Sequence, residues 1–358
     1  MDRIHLITSR AILVSILAGT FAASACAQWT TVRPMQLPRQ ETCAAMIGDT
    51  VYVCGGIISG PPTVNTATVE AYHAKIGLWT SIAPMPLALD HAGAAALNGQ
   101  LYVMGGVTRS GGTGTARSEM HIYDPTLDSW SAGTPLPQPR SAPWSVALNG
   151  KIYVIGGSGP PGGARTELYA FDPTSNLWTE LAPMTEAREH LNAVTDGTYL
   201  YVIGGRVGGT STTTNERYDP GANTWTTLTP MPTARAAMAM AVVSGEIHCM
   251  GGETPMLFDA HEVYDIGSNT WSTLGPMAIP RHGVAAVTLP SGGILVAAGG
   301  IVQGLGPTAH TDIYGPLPPA VPATSGAMLM LLGIIVIALS LAATHRRRSR
   351  NTKPLKTR

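Results

Sequence analysis

A pair of adjacent glycines recurs six times at nearly equal intervals along the chain. Successive pairs lie 47 to 51 residues apart, and each ends a short apolar run such as VYVCGG or LYVIGG. Short runs that are apolar at nearly every position are typical of strands covered on both faces. The pairs are Gly55-Gly56, Gly105-Gly106, Gly156-Gly157, Gly204-Gly205, Gly251-Gly252 and Gly299-Gly300. The chain is therefore predicted to repeat one structural unit six times.

Each apolar run is flanked by residues that predict turns. Pairs such as Asn98-Gly99 and Asp196-Gly197 precede the runs, and two-residue hairpin turns need them because their central positions have φ > 0. After the run comes an aromatic residue that is followed seven positions later by tryptophan, as in Tyr72 and Trp79. Three of these intervals contain Asp-Pro, which favours a type I turn. Each unit is predicted to be a four-stranded antiparallel meander.

The order of double glycine, aromatic residue and tryptophan resembles the kelch repeat, and it covers residues 29 to 314. A single meander cannot bury both of its faces, whereas meanders packed radially as blades can. The resemblance therefore implies an all-β fold, a six-bladed kelch β-propeller over residues 28–315.

The sixth unit lacks its tryptophan, because Tyr314 is followed seven residues later by Val321. Trp29-Thr30-Thr31 resembles Trp79-Thr80-Ser81, and a Pro-Met pair follows each tryptophan at the same interval. We predict that the N-terminal strand completes the sixth blade. Closing the ring in this way leaves no unpaired strand edge at the seam.

Residues 1–27 predict a secretory signal peptide. Arg3 and Arg10 precede an apolar stretch that is too short to span a bilayer, and Ala25-Cys26-Ala27 has the pattern of a cleavage site. A bacterial lipoprotein signal, with Cys26 lipidated, is the alternative. Either signal predicts an exported protein.

The C-terminal residues predict a membrane anchor. Residues 316–325 form a Pro-rich linker, and residues 326–344 follow without a charge, long enough as a helix to cross the hydrocarbon core. The arginines of the basic tail, residues 345–358, place that tail in the cytoplasm and the propeller outside a cell membrane. A buried core helix is the alternative for residues 326–344.

The same tail resembles the PEP-CTERM-type sorting signals of bacteria, in which a short motif, an apolar span and an arginine cluster follow one another. The motif here is Val321-Pro322-Ala323-Thr324-Ser325-Gly326, which departs from the usual Val-Pro-Glu-Pro. Retention of the tail as an anchor and its removal are both open alternatives.

The charge distribution excludes a nucleic-acid partner. Residues 28 to 345 hold 13 Lys and Arg and 21 Asp and Glu, a net charge of −8, and no basic run. Nucleic-acid binding needs a basic surface. The expected partners are the membrane, through residues 326–344, and an extracytoplasmic protein or carbohydrate.

Cys43 and Cys54 flank the first hairpin turn symmetrically, so they are expected to face each other. An exported protein permits a disulfide there, but a two-residue turn gives this pair the wider side-chain spacing. A disulfide and two buried thiols are both compatible with the sequence.

An arginine stands at the same place in five of the six units, in the segment that leads into the first strand. The sixth unit has Leu89, and the arginines are Arg39, Arg140, Arg188, Arg235 and Arg281. In kelch proteins, ligands commonly bind at the face made by these lead-in segments and by the loops after the double glycines. We call that face the mouth. Five guanidiniums there would suit a carboxylate ligand; alternatively, they are a repeat feature that binds neighbouring carbonyls or acids.

Acidic and histidine side chains accompany the arginines, and Arg206 follows a double glycine. We predict a ligand site that adds Glu41, His91, Glu189, His190, Arg206 and His282 to the five arginines. His91, His190 and His282 fall in alternate units and could converge on a metal ion, but no short ligand spacing supports this. The sequence predicts neither a cofactor nor a catalytic residue.

The sequence therefore favours an exported, membrane-anchored propeller that acts as a protein- or glycan-binding scaffold. The first alternative is a sugar-acid-processing enzyme similar to the bacterial sialic acid mutarotases, with the arginines holding the sugar carboxylate and Glu189 or His190 moving protons. The second is a structural component of the cell surface.

Overall fold

The structure is a computed structural model, and it describes residues 28–160 and 162–319. The predicted signal peptide, transmembrane helix and basic tail lie outside these ranges, as does most of the predicted linker. The described part of the chain is all-β, and it has no helix long and apolar enough to cross a bilayer.

Thirty short strands make up the regular structure of residues 28–160 and 162–319. In chain order they are β1 (Trp29–Thr31), β2 (Cys43–Ile47), β3 (Thr50–Cys54), β4 (Ile57–Ser59), β5 (Val64–Asn65), β6 (Val69–His73), β7 (Leu78–Ser81), β8 (Gly93–Leu97), β9 (Gln100–Met104), β10 (Val107–Ser110), β11 (Thr113–Ala116), β12 (Met120–Asp124), β13 (Ser129–Gly133), β14 (Trp144–Leu148), β15 (Lys151–Ile155), β16 (Leu168–Asp172), β17 (Leu177–Leu181), β18 (Asn192–Thr195), β19 (Leu200–Ile203), β20 (Arg206–Val207), β21 (Thr210–Ser211), β22 (Asn215–Asp219), β23 (Thr224–Thr227), β24 (Ala239–Val243), β25 (Glu246–Met250), β26 (His261–Asp265), β27 (Thr270–Thr273), β28 (Ala285–Thr288), β29 (Ile294–Ala297) and β30 (Thr311–Tyr314).

Six four-stranded antiparallel sheets form the blades of a propeller. From the axis outward, blades 1 to 6 are β2-β3-β6-β7, β8-β9-β12-β13, β14-β15-β16-β17, β18-β19-β22-β23, β24-β25-β26-β27 and β28-β29-β30-β1. The first strands of neighbouring blades contact one another all the way around the axis. The six-bladed propeller predicted from the repeats is confirmed.

The ring closes as predicted. β1 pairs with β30 in a register that places Trp29 opposite Tyr314, so the N-terminal strand is the outer strand of blade 6. The indole N–H of Trp29 donates to Gly275 O at 3.4 Å, and the other five repeat tryptophans each donate to a carbonyl of the segment after the preceding blade. Each tryptophan therefore joins its own blade to the one before it.

A second ring of contacts surrounds the axis. One residue of each lead-in segment has a left-handed backbone, and five amide-to-carbonyl bonds of 2.8 to 3.1 Å connect these residues from blade to blade. The six residues are Glu41, His91, Ala142, His190, Ala237 and Gly283, with φ between 49° and 56°. Because alanine occupies this conformation in two blades, the backbone geometry belongs to the repeat and not to one functional residue.

The double glycines allow the backbone of the lead-in segments to pack directly against the ends of the second strands. A Cβ at Gly106 would lie 2.8 Å from Asp90 O, and one at Gly252 would lie 2.8 Å from Ala236 O. Both glycines also have positive φ, so larger residues would be strained as well as crowded.

The two ends of the propeller differ. The mouth carries the lead-in segments and the loops between second and third strands, three of which contain the small hairpins β4-β5, β10-β11 and β20-β21. The opposite end carries the other turns and both ends of the closed chain, where Gly315 N donates to Gln28 O at 3.2 Å.

Cys43 and Cys54 face each other across β2 and β3, as the turn predicts. Their thiols are free and buried, as is that of Cys249. Burial raises the pKa of Cys54 and of Cys249, the latter to about 12, so both stay protonated at neutral pH.

Candidate functional site

The five repeat arginines lie inside the blades and do not face the mouth. Arg39, Arg140, Arg188, Arg235 and Arg281 are at most 1% exposed. Four of them contact a carboxylate on the third strand of their own blade: Arg39 with Glu70, Arg188 with Glu216, Arg235 with Glu262 and Arg281 with Asp312. This geometry matches the structural alternative, because a guanidinium that is buried in its blade and paired with a carboxylate there is out of reach of a ligand at the mouth.

The two remaining blades depart from this pattern in a related way. Arg140 stacks near the ring of Tyr169, with its guanidinium carbon 5.6 Å from the ring centre, and lies 3.3 Å from Glu167. In blade 2, Leu89 stands at the position of the repeat arginine, and His121 stands at the position of the carboxylate. Arginine and carboxylate are thus lost together in that blade.

The predicted acidic and histidine side chains do come together, on the axis at the mouth. Glu41, His91 and His190 occupy three positions of the left-handed ring, where the other blades have alanine or glycine. Glu41 Oε2 lies 3.3 Å from His91 Nε2, and Glu41 Oε1 lies 3.2 Å from His282 Nδ1. A Cβ at Gly283 would collide with the Glu41 carboxylate, so this glycine provides its space.

His91 and His190 are held by the same kind of support. His91 Nδ1 contacts Asp90 Oδ1 at 2.5 Å, and Arg109 binds both oxygens of Asp90 at 2.6 and 2.9 Å. In the fourth blade, Glu189 contacts Nδ1 of its neighbour His190, and Arg206 binds both Glu189 oxygens at 2.7 and 3.1 Å. Nη2 of Arg206 also lies 2.6 Å from that Nδ1.

Glu253 joins the cluster from the loop after the fifth double glycine. Its Oε2 lies 3.5 Å from His282 Nδ1, and its Oε1 lies 3.8 Å from Arg206 Nη1. We call Glu41, Asp90, His91, Arg109, Glu189, His190, Arg206, Glu253 and His282 the axial cluster. It contains every predicted site residue except the five blade arginines.

Burial and neighbouring charges oppose each other in this cluster. Burial favours the neutral acid of Glu41, but His91, His282 and His190 outweigh it and hold the pKa of Glu41 well below its usual range. Burial acts in the same direction on Glu189, whose pKa His190 and Arg206 lower to about 2. Both carboxyl groups are therefore ionised at neutral pH.

The histidines respond differently. Burial lowers the pKa of His91 and of His282, but Glu41 and the other adjacent carboxylates reverse the shift and raise both. Burial and His91 together lower the pKa of His190, despite its contact with Glu189. The cluster therefore favours one neutral imidazole beside two more basic ones.

Two spaces lie along the axis behind the left-handed ring. A cavity of about 40 Å³ is lined by Glu41, His91, His190 and the residues after them. Beyond it, small and apolar side chains of the six first strands line a channel of about 400 Å³. Trp144, which the repeat does not explain, borders both spaces at a position where the other blades have Cys, Gly, Asn or Ala.

The last mouth loop, residues 301–306, reaches over the cluster. Val302 O accepts a bond from His282 Nε2 at 3.1 Å, and Gly306 N donates to Gln40 Oε1 at 2.7 Å. Gly304 N donates to Glu253 Oε2 at 3.3 Å. Two of these three contacts, those to His282 and Glu253, are made by side chains of the cluster.

Comparisons with known proteins agree with this architecture. A model described as the KLHDC2/KLHL20/DRC7 Kelch-repeats domain matches residues 90–300, more than half of the chain, and the Kelch motif matches residues 38–86. The chain belongs to the kelch-repeat family. A solved structure titled "Structure of YjhT" resembles this kelch propeller with a TM-score of 0.69 and 18% identity, over 82% of this chain and 98% of that one. No curated protein matches the chain significantly. At this identity the structural likeness shows the fold alone.

Two groups within the kelch propeller's cluster have the composition of metal ligands. They are Glu41 with His91 and His190, and Glu41 with Glu253 and His282; in each group the ligand atoms lie within 4.8 Å of one another. Asp90, Arg109, Glu253 and Trp144 were not part of the predicted site. Glu253 follows a double glycine directly, as Arg206 does, and that position was the signal for it.

Proposed function

We propose that the protein is an exported, membrane-anchored kelch propeller that binds a protein partner at its mouth. The supporting observation is where its exposed apolar side chains lie. The described residues include eight large apolar side chains that are exposed, and five of them lie on mouth loops: Val64, Val207, Met256, Ile301 and Val302.

Single exposed apolar residues are normal on a protein surface, but their concentration on one face is informative. These five come from the loops of four consecutive blades, 4, 5, 6 and 1, and therefore lie on one side of the mouth that holds the axial cluster. Apolar anchors beside well-placed charges are what protein interfaces use. Export and anchoring are proposed from the sequences of residues 1–27 and 326–344.

The second candidate is the sugar-acid-processing enzyme. It is favoured by one observation, the contact of Glu189 with His190 and Arg206 beside the axial cavity. Because the five blade arginines are buried, Arg206 or Arg109 would have to hold the sugar carboxylate in their place; their side chains are 20% and 18% exposed.

A photo-crosslinking residue placed at Val302 or at Leu127 tests the docking face. Leu127 is 71% exposed at the opposite end, so it is the matched control. A protein bound at the mouth gives adducts from position 302, fewer of them when Met256→Asp is added, and none from position 127. Adducts of equal yield from both positions would overturn the proposal.

Thermal melts with N-acetylneuraminate and galactose separate the second candidate. A melting shift with the acidic sugar only, lost in Arg206→Ala and kept in Met256→Asp, would favour the enzyme. No shift, with position-302 adducts present, favours the protein-binding module.

A further inference from the structure

We propose that Glu41, His91 and His190 bind one divalent transition-metal ion, of the Zn²⁺ class, on the propeller axis. The site is independent of the proposed docking function, since it depends on side chains of the axial cluster and not on the five exposed apolar residues of the mouth loops. One carboxylate and two imidazoles are a ligand set that suits Zn²⁺ and similar ions.

The spacing of the ligand atoms fits such an ion. Bonds of about 2.0 to 2.1 Å in a tetrahedron place neighbouring ligand atoms about 3.3 Å apart. Glu41 Oε2 and His91 Nε2 are separated by 3.3 Å, and the three ligand atoms, including one from His190, lie within 4.8 Å of one another. Small side-chain rotations therefore suffice to form three bonds.

The outer contacts provide independent support. A histidine that binds a metal typically donates its other ring N–H to a carboxylate, which fixes the tautomer and orients the ring. Asp90 takes that position at His91 Nδ1, and Glu189 takes it at His190 Nδ1. Each carboxylate is held on both oxygens by an arginine. His91 thus turns Nε2 toward Glu41 with Asp90 behind it, and His190 has a carboxylate at the matching position, where Arg206 Nη2 also lies 2.6 Å from its Nδ1.

The charge balance points in the same direction. Four carboxylates, from Glu41, Asp90, Glu189 and Glu253, face two guanidiniums, from Arg109 and Arg206. Metal binding requires neutral imidazoles at His91 and His190; with His282 neutral as well, the cluster has two negative charges in excess, which a divalent ion balances. Uncompensated charge is costly where water is largely excluded.

The geometry also indicates an open coordination position. The cavity of about 40 Å³ borders all three ligands. A water molecule needs roughly 10–15 Å³ of such volume, so the cavity has room for a metal-bound water. Three protein ligands and one water is the arrangement of an accessible zinc site, in contrast to a closed structural one.

The neighbouring group of Glu41, Glu253 and His282 is the competing location. There, His282 Nε2 is already engaged with Val302 O, and only one imidazole is present. Variants at His282 and at His190 distinguish the two groups.

The test uses the full chain, purified without a histidine tag and stripped with EDTA. Titration calorimetry with Zn²⁺ and visible absorption with Co²⁺ measure binding and geometry. We expect one ion per chain with a micromolar or tighter Kd, and intense Co²⁺ bands typical of a four- or five-coordinate site. Asp90→Asn should weaken Zn²⁺ binding about 10–100-fold, and His91→Ala or His190→Ala should weaken it more.

His73→Gln is the control, because His73 bonds Thr50 and Thr80 away from the cluster. A thermal melt of each variant confirms folding, and the two histidine variants are independent of each other if one fails to fold. Millimolar affinity in the wild type, unchanged binding in both His91→Ala and His190→Ala, or loss only in His282→Ala would overturn the assignment.

Discussion

Replacing Arg235 by leucine should destabilise the propeller strongly, because its side chain is buried in blade 5 although its backbone belongs to a lead-in segment of the mouth. Its guanidinium donates to Gly251 O at 2.8 Å, to Ala260 O at 3.0 Å and to Glu262 Oε2 at 2.6 Å. After the substitution, Glu262 keeps the bond from Thr233 Oγ1 but loses its counter-charge, at 4% exposure.

Removing one partner of a buried ion pair costs about 3–5 kcal/mol, because the other charge stays buried and unpaired. For a domain of this size each kcal/mol corresponds to roughly 2–4 °C, so the melting temperature should fall by on the order of 10 °C. Urea unfolding followed by circular dichroism measures the free energy directly.

Blade 2 supplies the control, because it holds Leu89 with His121 where blades 1, 4, 5 and 6 hold the ion pair. Adding Glu262→His to Arg235→Leu removes the stranded charge and should recover about 2 kcal/mol of the loss. A change below 2 °C in Arg235→Leu, or a double variant weaker than the sum of the two single ones, would refute the structural role. A stable Arg235→Leu protein that lost its partner would restore the ligand-binding role.

Three further outcomes are expected. Burial lowers the pKa of His248 to about 4 and that of His261 to about 3, from 6.5 in the unfolded chain. As pH falls, the unfolded chain therefore binds protons before the folded protein does. The free energy of unfolding should drop by a few kcal/mol between about pH 6.5 and pH 4. His248→Tyr should flatten that urea-measured pH profile, and an unchanged slope would contradict it. Gly283→Ala should lower the melting temperature because its Cβ meets the Glu41 carboxylate; adding Glu41→Ala should relieve part of the loss, and equal losses would count against the collision. Deleting residues 29–31 exposes the edge of β30, so light scattering should show concentration-dependent association, and a stable monomer would argue against the ring closure.

The blade pattern could be predicted from sequence because each of its signals is local. A double glycine ends the second strand, an aromatic residue and a tryptophan mark the third and fourth, and all six copies agree. Trp29 could be assigned to blade 6 for the same reason, since its neighbours Thr30 and Thr31 match those of Trp79. Each meander is apolar on both faces, and packing the six meanders radially as blades buries both faces of each one.

The site was harder to predict because repetition hides the direction of a side chain. Arg188 and His190 are two residues apart in one lead-in segment, yet the first is buried in its blade and the second faces the axis. The left-handed backbone between blades produces this division, and no residue type marks it, since alanine adopts it too. Residues that vary from blade to blade, not those that repeat, proved to form the cluster.

The ring closure has a consequence for how the molecule is displayed. Gly315 leaves the propeller beside Gln28, at the end opposite the mouth. Any tether that follows residue 315 would therefore leave the propeller at the end opposite the mouth. The axial cluster would then face away from the point of attachment. Because β30 pairs with both β1 and β29, such a tether would be joined to blade 6 through strand pairing and not through the mouth loops.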